Sequence, residues 1–180
     1  MADAAHAQRE IEARYEALKA KAFVDAPEVT VAELQAMQPP PVLCDVRTPA
    51  EWAVSTLPGA LRREELELDL EPYRGADAPA VVCFCTIGAR SGAAALALRA
   101  RGVNALNLRG SLLAWTHAGG QLVEPATGQP TRRVHTYSAE WALQAPGYEA
   151  VAFERPPLVR GLLALARDKA RAWLGGPPRR

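Results

Sequence analysis

The sequence has little of what marks several protein classes. It has 3 cysteines, at positions 44, 83 and 85, and an odd set that includes a C-x-C pair argues against a disulfide framework. No apolar run approaches the roughly 20 residues of a transmembrane helix. Residues 1–22 mix acidic and basic side chains, unlike a secretory signal or a transit peptide. These absences predict reduced thiols and a cytoplasmic protein, or an organellar one if a targeting sequence was removed.

The sequence also lacks an excess of charge of either sign, and it has only 3 histidines. The formal net charge is +1, from 21 basic and 20 acidic residues, which argues against nucleic acid and anionic membranes as partners. The histidines, His6, His117 and His135, are all distant from Cys85 in sequence, so no Cys-His protease arrangement is predicted. Cys83 and Cys85 lack a second ligand pair at zinc spacing. We therefore expect no metal and no cofactor.

Strand-like and helix-like stretches alternate along the chain. The runs "PVLCDV", "AVVCFC" and "NALNL" are typical of buried strands, and "VTVAELQAM" of a short strand leading into a helix. Helical patterns occur in "PAEWAVS", "REELELDLEPY", "SGAAALALRARG" and "GSLLAWTHAGG". This alternation predicts an α/β fold with a central parallel sheet flanked by helices on both faces.

Extensions flank this alternating region. Ile11, Tyr15 and Leu18 recur at helical spacing and predict an N-terminal amphipathic helix packed on the domain. A stretch rich in Pro, Gly and Thr after Glu124 marks the far edge, and "RRVHTY" offers one further strand. The end of the chain, "PPLVRGLLALARDKARAWLGGPPRR", reads as a basic amphipathic helix that packs on its own domain or meets a membrane or partner. The predicted divisions are 1–28, 29–124 and 125–180.

The stretch "VVCFCTIGARSG" carries the clearest chemistry. Cys85 ends a predicted strand, and a short loop with a glycine leads into a helix. Backbone N–H groups without partners and the positive end of the helix dipole meet there. Arg90 adds a cation. We therefore predict a Cys85 pKa below that of an ordinary thiol, and a nucleophilic thiolate.

From about Val29 to Glu124 the chain resembles the single-domain rhodanese-like sulfurtransferases, through "LCDVRTPAEW", "LPGAL", "VVCFCTIGARSGAAALALRARG" and "NLRGSLLAW" in the family's order. The resemblance implies a rhodanese-like fold in which Cys85 takes a sulfane sulfur from thiosulfate or a related donor, as a persulfide, and passes it to a thiol or cyanide. It implies a substrate-binding loop of Thr86, Ile87, Gly88, Ala89, Arg90 and Ser91, and structural support from Asp45, Arg47 and Glu51. Arg90 either binds an anionic donor or ties the loop to its surroundings.

The chain departs from the family's pattern in places. Ser55 and Thr56 in "STLPGA" stand where the family often has Gly-His, so no histidine can be invoked there. Ser111 replaces the second residue of a Gly-Gly pair and offers a hydroxyl for helix capping. Cys44 and Cys83 stand at apolar core positions and are interpreted as core thiols, although Cys83 could instead resolve an oxidised Cys85.

Two other function classes stay open at this point. Phosphatases and arsenate reductases on the related fold have five residues between the cysteine and the arginine, whereas this chain has four, Thr86 to Ala89. A rhodanese-like module could also bind a protein partner or relay a persulfide to one. Mercaptopyruvate is a less expected donor, because enzymes that prefer it resemble a Cys-Gly-Ser-Gly-Val-Thr loop.

Overall fold

A parallel five-stranded sheet organises the molecule. The computed structural model describes residues 2–75 and 77–153. The strand order is β1-β5-β4-β2-β3, and every neighbouring pair is parallel. The strands are β1 Glu28–Val29, β2 Val42–Asp45, β3 Leu61–Arg62, β4 Val81–Phe84 and β5 Ala105–Leu108. The predicted α/β fold with a central parallel sheet is confirmed.

The helices follow the predicted pattern, with one interruption. They are α1 Ala2–Ala22, α2 Val31–Ala36, α3 Pro49–Trp52, α4 Arg63–Leu68, α5 Ala89–Arg99 and α6 Ser111–His117. The stretch "REELELDLEPY" is not one helix, since α4 ends at Leu68 and a 3₁₀ turn follows at Glu71–Tyr73. Pro72 explains why α4 does not continue, because a proline has no N–H to donate to the carbonyl four residues earlier, that of Leu68, and its ring would clash with that carbonyl.

The two faces of the sheet carry separate cores. On one face Val82 and Phe84 of β4 pack with residues of α2 and α6, and on the other Val81 and Cys83 pack with residues of α4 and α5. This alternation follows from the two-residue period of a strand. Cys44 lies in the same cluster as Cys83, and both thiols are free and fully buried, which confirms their assignment as core residues.

The predicted N-terminal helix is confirmed as α1, and it packs against α5 and α6. Ile11 and Tyr15 are buried. The Tyr15 hydroxyl donates to Glu28 Oε2 at 2.6 Å and accepts from Asn107 Nδ2 at 3.0 Å. Burial and the bond to the Glu28 carboxylate raise the pKa of Tyr15 well above its usual range. The helix is thus fixed to the sheet by a buried polar contact as well as by apolar packing.

Beyond α6 the chain adds two small sheets. Strands β6 Leu122–Val123 and β7 Pro130–Thr131 pair antiparallel. Strand β8, Arg133–His135, falls in the predicted "RRVHTY" strand, and β9, Glu149–Val151, is its parallel partner. The amphipathic helix predicted after residue 155 lies outside the described residues. Within residues 2–75 and 77–153, no helix combines the length and apolar character needed to cross a membrane.

Candidate functional site

The loop from Cys85 to Gly88 joins β4 to α5 and is held against α6. The carbonyl of Cys85 accepts from Leu112 N–H at 3.2 Å, and that of Thr86 accepts from Leu113 N–H at 3.1 Å. Ser111 Oγ accepts from Cys85 N–H and donates to the Leu108 carbonyl, both at 3.1 Å. The prediction that this hydroxyl caps α6 is therefore wrong, because it is used by the cysteine's own backbone instead.

The Cys85 sulfur has two polar neighbours in the loop and the following helix. Gly88 N–H donates to Sγ at 3.2 Å, and the Ser91 hydroxyl lies 3.6 Å from Sγ. The same hydroxyl donates to Asn107 Oδ1 at 2.7 Å. Since a serine carries one hydroxyl hydrogen, it can donate to the sulfur or to the amide at one time. The hydroxyl can therefore turn to the sulfur when a thiolate forms.

Gly88 is required by the shape of this loop. Its φ is +114°, a conformation that L side chains rarely adopt, and a Cβ there would lie 2.5 Å from Tyr15 Cε2. The glycine therefore lets α1 approach the loop while its own N–H faces the sulfur. The conformation of the loop and the packing of α1 against it both require glycine at this position.

The pKa of the Cys85 thiol lies below its ordinary value, which confirms the predicted direction. Burial raises the pKa, since the side chain is almost fully enclosed. The Arg90 charge, the hydroxyl and N–H of Ser91 and the N–H of Gly88 lower it and outweigh burial. The sulfur is thus a buried group whose surroundings favour its charged form.

Arg90 is engaged by Glu51 of α3. Its two amino groups donate to the two carboxylate oxygens at 2.6 and 2.7 Å, a bidentate geometry. Burial raises the pKa of Glu51, but contacts with His135 and Arg90 lower it far below its usual range. Burial lowers the pKa of Arg90, but Glu51 and the Cys85 sulfur raise it by more, so the pKa lies above its usual value. This ion pair ties the start of α5 to α3.

Asp45 and Arg47 form a second, deeper pair at the end of β2. Arg47 Nη2 donates to Asp45 Oδ2 at 2.6 Å and also to the Ser55 carbonyl, and Thr56 Oγ1 donates to Asp45 Oδ2 at 2.8 Å. Arg47 Nη1 reaches the Glu51 carbonyl at 3.3 Å. All of these residues are buried. The set fixes the turn that carries Glu51, so it acts on the loop through Glu51.

His135 is a neighbour of the site that the sequence did not reveal. Its Nδ1 lies 3.2 Å from Glu51 Oε1, outside hydrogen-bonding geometry, and both ring nitrogens are buried without a hydrogen-bond partner among the described residues. The residue comes from β8, and a separation of 50 positions from Cys85 left no local signal. Only the placement of β8 and β9 on the domain reveals the contact.

Cys85 lines a cavity of about 160 Å³. The other lining residues are Leu18 of α1, Thr86, Ile87, Ala89 and Arg90 of the loop and α5, and Tyr137 and Trp141 beyond β8. The structure thus brings the predicted loop residues together around one opening, apart from Gly88 and Ser91, which face the sulfur from within. Leu18, Tyr137 and Trp141 were not predicted as site residues.

A second cavity of about 450 Å³ lies between the ends of α6 and β7. Arg132 is the ionisable side chain among its described lining residues, and its guanidinium stacks over the Tyr148 ring at 4.8 Å. No cysteine, serine or histidine is among the described residues that line this cavity. Across the described ranges, no group of three or more His, Cys, Asp or Glu side chains is placed to hold a metal ion.

Comparisons with known proteins match the sheet domain. Residues 30–118 match the model of the rhodanese-like domain. A sulfurtransferase from Allochromatium vinosum is 41% identical over 88 residues, which are 47% of this chain and 79% of that protein. A tRNA uridine(34) hydroxylase from Xanthomonas euvesicatoria is 43% identical over 90 residues, which are 46% of this chain and 36% of that protein.

Similar solved structures include a thiosulfate sulfurtransferase from Pseudomonas aeruginosa, with 26% identity and a TM-score of 0.48, covering 66% of this chain and 23% of that one. A rhodanese-like domain protein from Staphylococcus aureus is 27% identical with a TM-score of 0.42, covering 49% of this chain and 90% of that one. The family assignment depends on the sequence matches, and the matched residues 30–118 include β2 to β5, the Cys85 loop and α5. The chain belongs to the rhodanese-like family.

Proposed function

We propose that the protein is a sulfurtransferase that moves a sulfane sulfur from thiosulfate or a related donor to a thiol or cyanide, through a persulfide on Cys85. The observation that carries the proposal is the environment of Cys85 Sγ, a sulfur that lines a cavity and whose pKa is lowered despite burial. A thiolate with these properties is a nucleophile rather than a structural thiol. The free thiols fit a reducing compartment, and the proposal extends to the cytoplasm.

In the first step the Cys85 thiolate attacks the outer sulfur of the donor. A bond forms between Sγ and that sulfur, the bond from that sulfur to the rest of the donor breaks, and its electron pair leaves as sulfite when thiosulfate is used. The Gly88 N–H and the Ser91 hydroxyl then face the persulfide as they faced the thiolate. Thr86 lines the same cavity, and its buried hydroxyl has no hydrogen-bond partner among the described residues.

In the second step the acceptor attacks the terminal sulfur. A thiolate acceptor forms a new S–S bond, the bond from Cys85 Sγ to the transferred sulfur breaks, and its electron pair restores the Cys85 thiolate. Cyanide would leave as thiocyanate by the same displacement. Arg90, held by Glu51, favours the anionic sulfur in both resting and loaded forms.

The size of the cradle favours sulfur over phosphate. The loop has four residues between Cys85 and Arg90, and the hydrogen bonds to Sγ come from the Gly88 N–H and from the hydroxyl and N–H of Ser91. The guanidinium that a phosphatase would turn to its substrate is bidentate to Glu51 instead. We therefore place a phosphatase or arsenate reductase second to a sulfurtransferase. A persulfide relay to a partner protein is compatible with the proposal.

Intact-mass measurement after exposure to thiosulfate tests the proposal. The wild type should gain one sulfur atom, and a reductant should remove it. Cys85→Ser should gain none, while Cys44→Ser, the same change at another buried thiol, should still gain it. If thiosulfate and sodium polysulfide both leave the wild-type mass unchanged, the proposal is wrong and a partner-binding module becomes the better reading.

A further inference from the structure

We infer that the cavity at Cys85 selects as sulfur acceptor a small organic thiol with an apolar group, and that residues of both flanking segments set this preference. The inference rests on the proposed function. It concerns Leu18 of α1 and Tyr137 and Trp141 of the segment after β8, none of which belongs to the catalytic loop. We refer to these three side chains as the mouth.

The cavity behind the mouth is apolar, and its size suits a small group. The three mouth residues line it together with Ile87 and Ala89. Its volume of about 160 Å³ is close to the roughly 150 Å³ of an apolar cavity that holds benzene. Water, whose share of liquid volume is about 30 Å³, leaves such walls favourably when an apolar group replaces it. A phenyl ring or a short alkyl chain therefore fits, and a large polar acceptor would extend into solvent.

The charges at the cavity disfavour an anionic acceptor. Among its described lining residues Arg90 is the one basic side chain, and Glu51 holds both of its amino groups. With Cys85 as a thiolate or an anionic persulfide, these three groups carry one net negative charge. An acceptor with a carboxylate or sulfonate next to its thiol would meet that charge with Arg90 already held by Glu51 and no other cation among the described lining residues.

The mouth is held in place by contacts between the two ends of the described chain. The Arg14 guanidinium lies 5.0 Å from the Trp141 ring centroid, and its Nη1 donates to the Glu140 carbonyl at 2.7 Å. His117 Nε2 lies 2.8 Å from the Leu143 carbonyl, which fixes the same segment to α6. Arg14 is itself paired with Glu10, so it is not a spare cation for a substrate.

Tyr137 has an unusual backbone. Its φ is +66°, a left-handed conformation that is uncommon for a residue with a side chain. Such conformations are energetically unfavourable for a residue with a side chain, and they concentrate at functional sites. Here the conformation belongs to the residue whose ring lines the Cys85 cavity. Packing that maintains it therefore also maintains the mouth.

The selected step is the second half of the transfer. The acceptor's sulfur attacks the terminal sulfur of the Cys85 persulfide, a new S–S bond forms, and the bond to Sγ breaks. The electron pair returns to Sγ as the thiolate, and the acceptor's thiol proton passes to the transferred sulfur or to solvent. No further oxidant or reductant is consumed. The apolar group contacts the mouth while this exchange occurs.

The test uses the full chain with its persulfide already formed. Cys85 is loaded with thiosulfate, or with sodium polysulfide where thiosulfate gives no gain of sulfur. Single-turnover discharge is then followed with 2-phenylethanethiol, 2-mercaptoethanol and 2-mercaptoethanesulfonate, each rate being expressed per thiolate. We expect 2-phenylethanethiol to react about tenfold faster than 2-mercaptoethanol, and the sulfonate to be the slowest.

Three variants assign this preference to the mouth. Trp141→Ala should lower the rate with 2-phenylethanethiol about tenfold more than the rate with 2-mercaptoethanol. Leu18→Lys adds a cation to the mouth and should raise the rate with the sulfonate relative to the other thiols. Ala20→Lys adds the same charge at an exposed position about 200° around α1, from the 100° turn per residue, and should leave the ratios unchanged.

The outcomes separate the two proposals. If no donor loads Cys85, the proposed function fails. If Cys85 loads but the three thiols discharge it at equal rates per thiolate, or the sulfonate is fastest, the inference about the mouth is wrong and the sulfurtransferase stands. Equal effects of Leu18→Lys and Ala20→Lys would also overturn the inference, since a general charge effect would then explain the preference.

Discussion

Cys44 lies on β2 and Cys85 directly follows the neighbouring strand β4, and both are almost fully buried, at 0% and 2% exposure. Their thiols nevertheless have opposite pKa shifts. The hydrogen bond to Cys83 and then burial raise the pKa of Cys44 far above its usual range. Burial also raises the pKa of Cys85, but Arg90, Ser91 and Gly88 reverse the direction.

The difference teaches that burial alone does not determine the reactivity of a thiol in this protein. Cys44 lies in the apolar cluster between the sheet and α4 and α5, where burial favours the neutral thiol over the charged thiolate. Cys85 lies where a strand gives way to a loop, so N–H groups, a hydroxyl and a guanidinium reach it. A change in the polar neighbours of Cys85 should therefore affect its reactivity more than a change in its packing.

Arg90→Met should have the largest effect on the comparison, because it moves Cys85 toward the behaviour of Cys44. Loss of the guanidinium should raise the Cys85 pKa, so at pH values below the pKa of both proteins we expect alkylation to be about tenfold slower in the variant. The rate of alkylation by iodoacetamide, measured against pH, should shift to higher pH and meet the wild-type plateau only above both pKa values.

Arg99→Met is the matched control, since Arg99 belongs to the same helix and the change removes the same charge far from the sulfur. It should leave the pH profile of alkylation unchanged. A thermal melt shows whether each variant is folded at the assay temperature. If Arg90→Met alkylates with the wild-type profile, Arg90 does not lower the Cys85 pKa, and its pairing with Glu51 would be purely structural.

Ser91→Ala should give a smaller shift in the same direction. It removes a hydroxyl 3.6 Å from Sγ, whereas the Gly88 and Ser91 N–H groups remain. We expect the alkylation rate at pH 7 to fall a few-fold. A hydrogen bond to a charged group contributes about 1.5–3 kcal/mol, but the single Ser91 hydroxyl hydrogen is shared between Cys85 Sγ and Asn107 Oδ1, which reduces the effect. A faster rate would show that the hydroxyl stabilises the thiol instead.

Cys44→Val should have the smallest effect. The change keeps an apolar side chain of similar size in the core, so we expect the free energy of unfolding to change by less than about 1.5 kcal/mol. Urea denaturation measures this free energy. The rate of Cys85 alkylation, recorded over the same pH values as for the wild type, should be unchanged. A shifted profile would mean that the two thiols are coupled through β2 and β4, against the contrast drawn between them.

The chemistry of Cys85 could be predicted from sequence because its determinants are local. The strand end, the glycine, Arg90 and the start of α5 all fall within a few residues of the sulfur. The longer strands and helices were recognised for the same reason, since their apolar periods lie within single segments. By contrast, β3 has two residues and β9 has three, too few for a period to show.

The rest of the site could not be predicted, because it depends on long-range packing. His135 and Trp141 reach the loop only through the placement of the segment after β7. The use of Ser111 Oγ by Cys85 N–H depends on how α6 meets the loop. Glu51 was predicted as structural support with Asp45 and Arg47, and its bidentate contact with Arg90 became visible only in the structure. The predicted boundaries after residues 28 and 124 remain a prediction.

The contact between Arg14 and Glu140 joins residues 126 positions apart, whereas the contacts around the Cys85 sulfur lie within six residues of it. Contacts of long sequence separation close large loops and form late when a chain folds. During synthesis the loop after β4 can therefore take shape before residues 137–141 have left the ribosome. A newborn chain would hold a reactive sulfur that any small electrophile can reach, and it would gain its ability to discriminate among partners only when its later segment folds back onto its first helix.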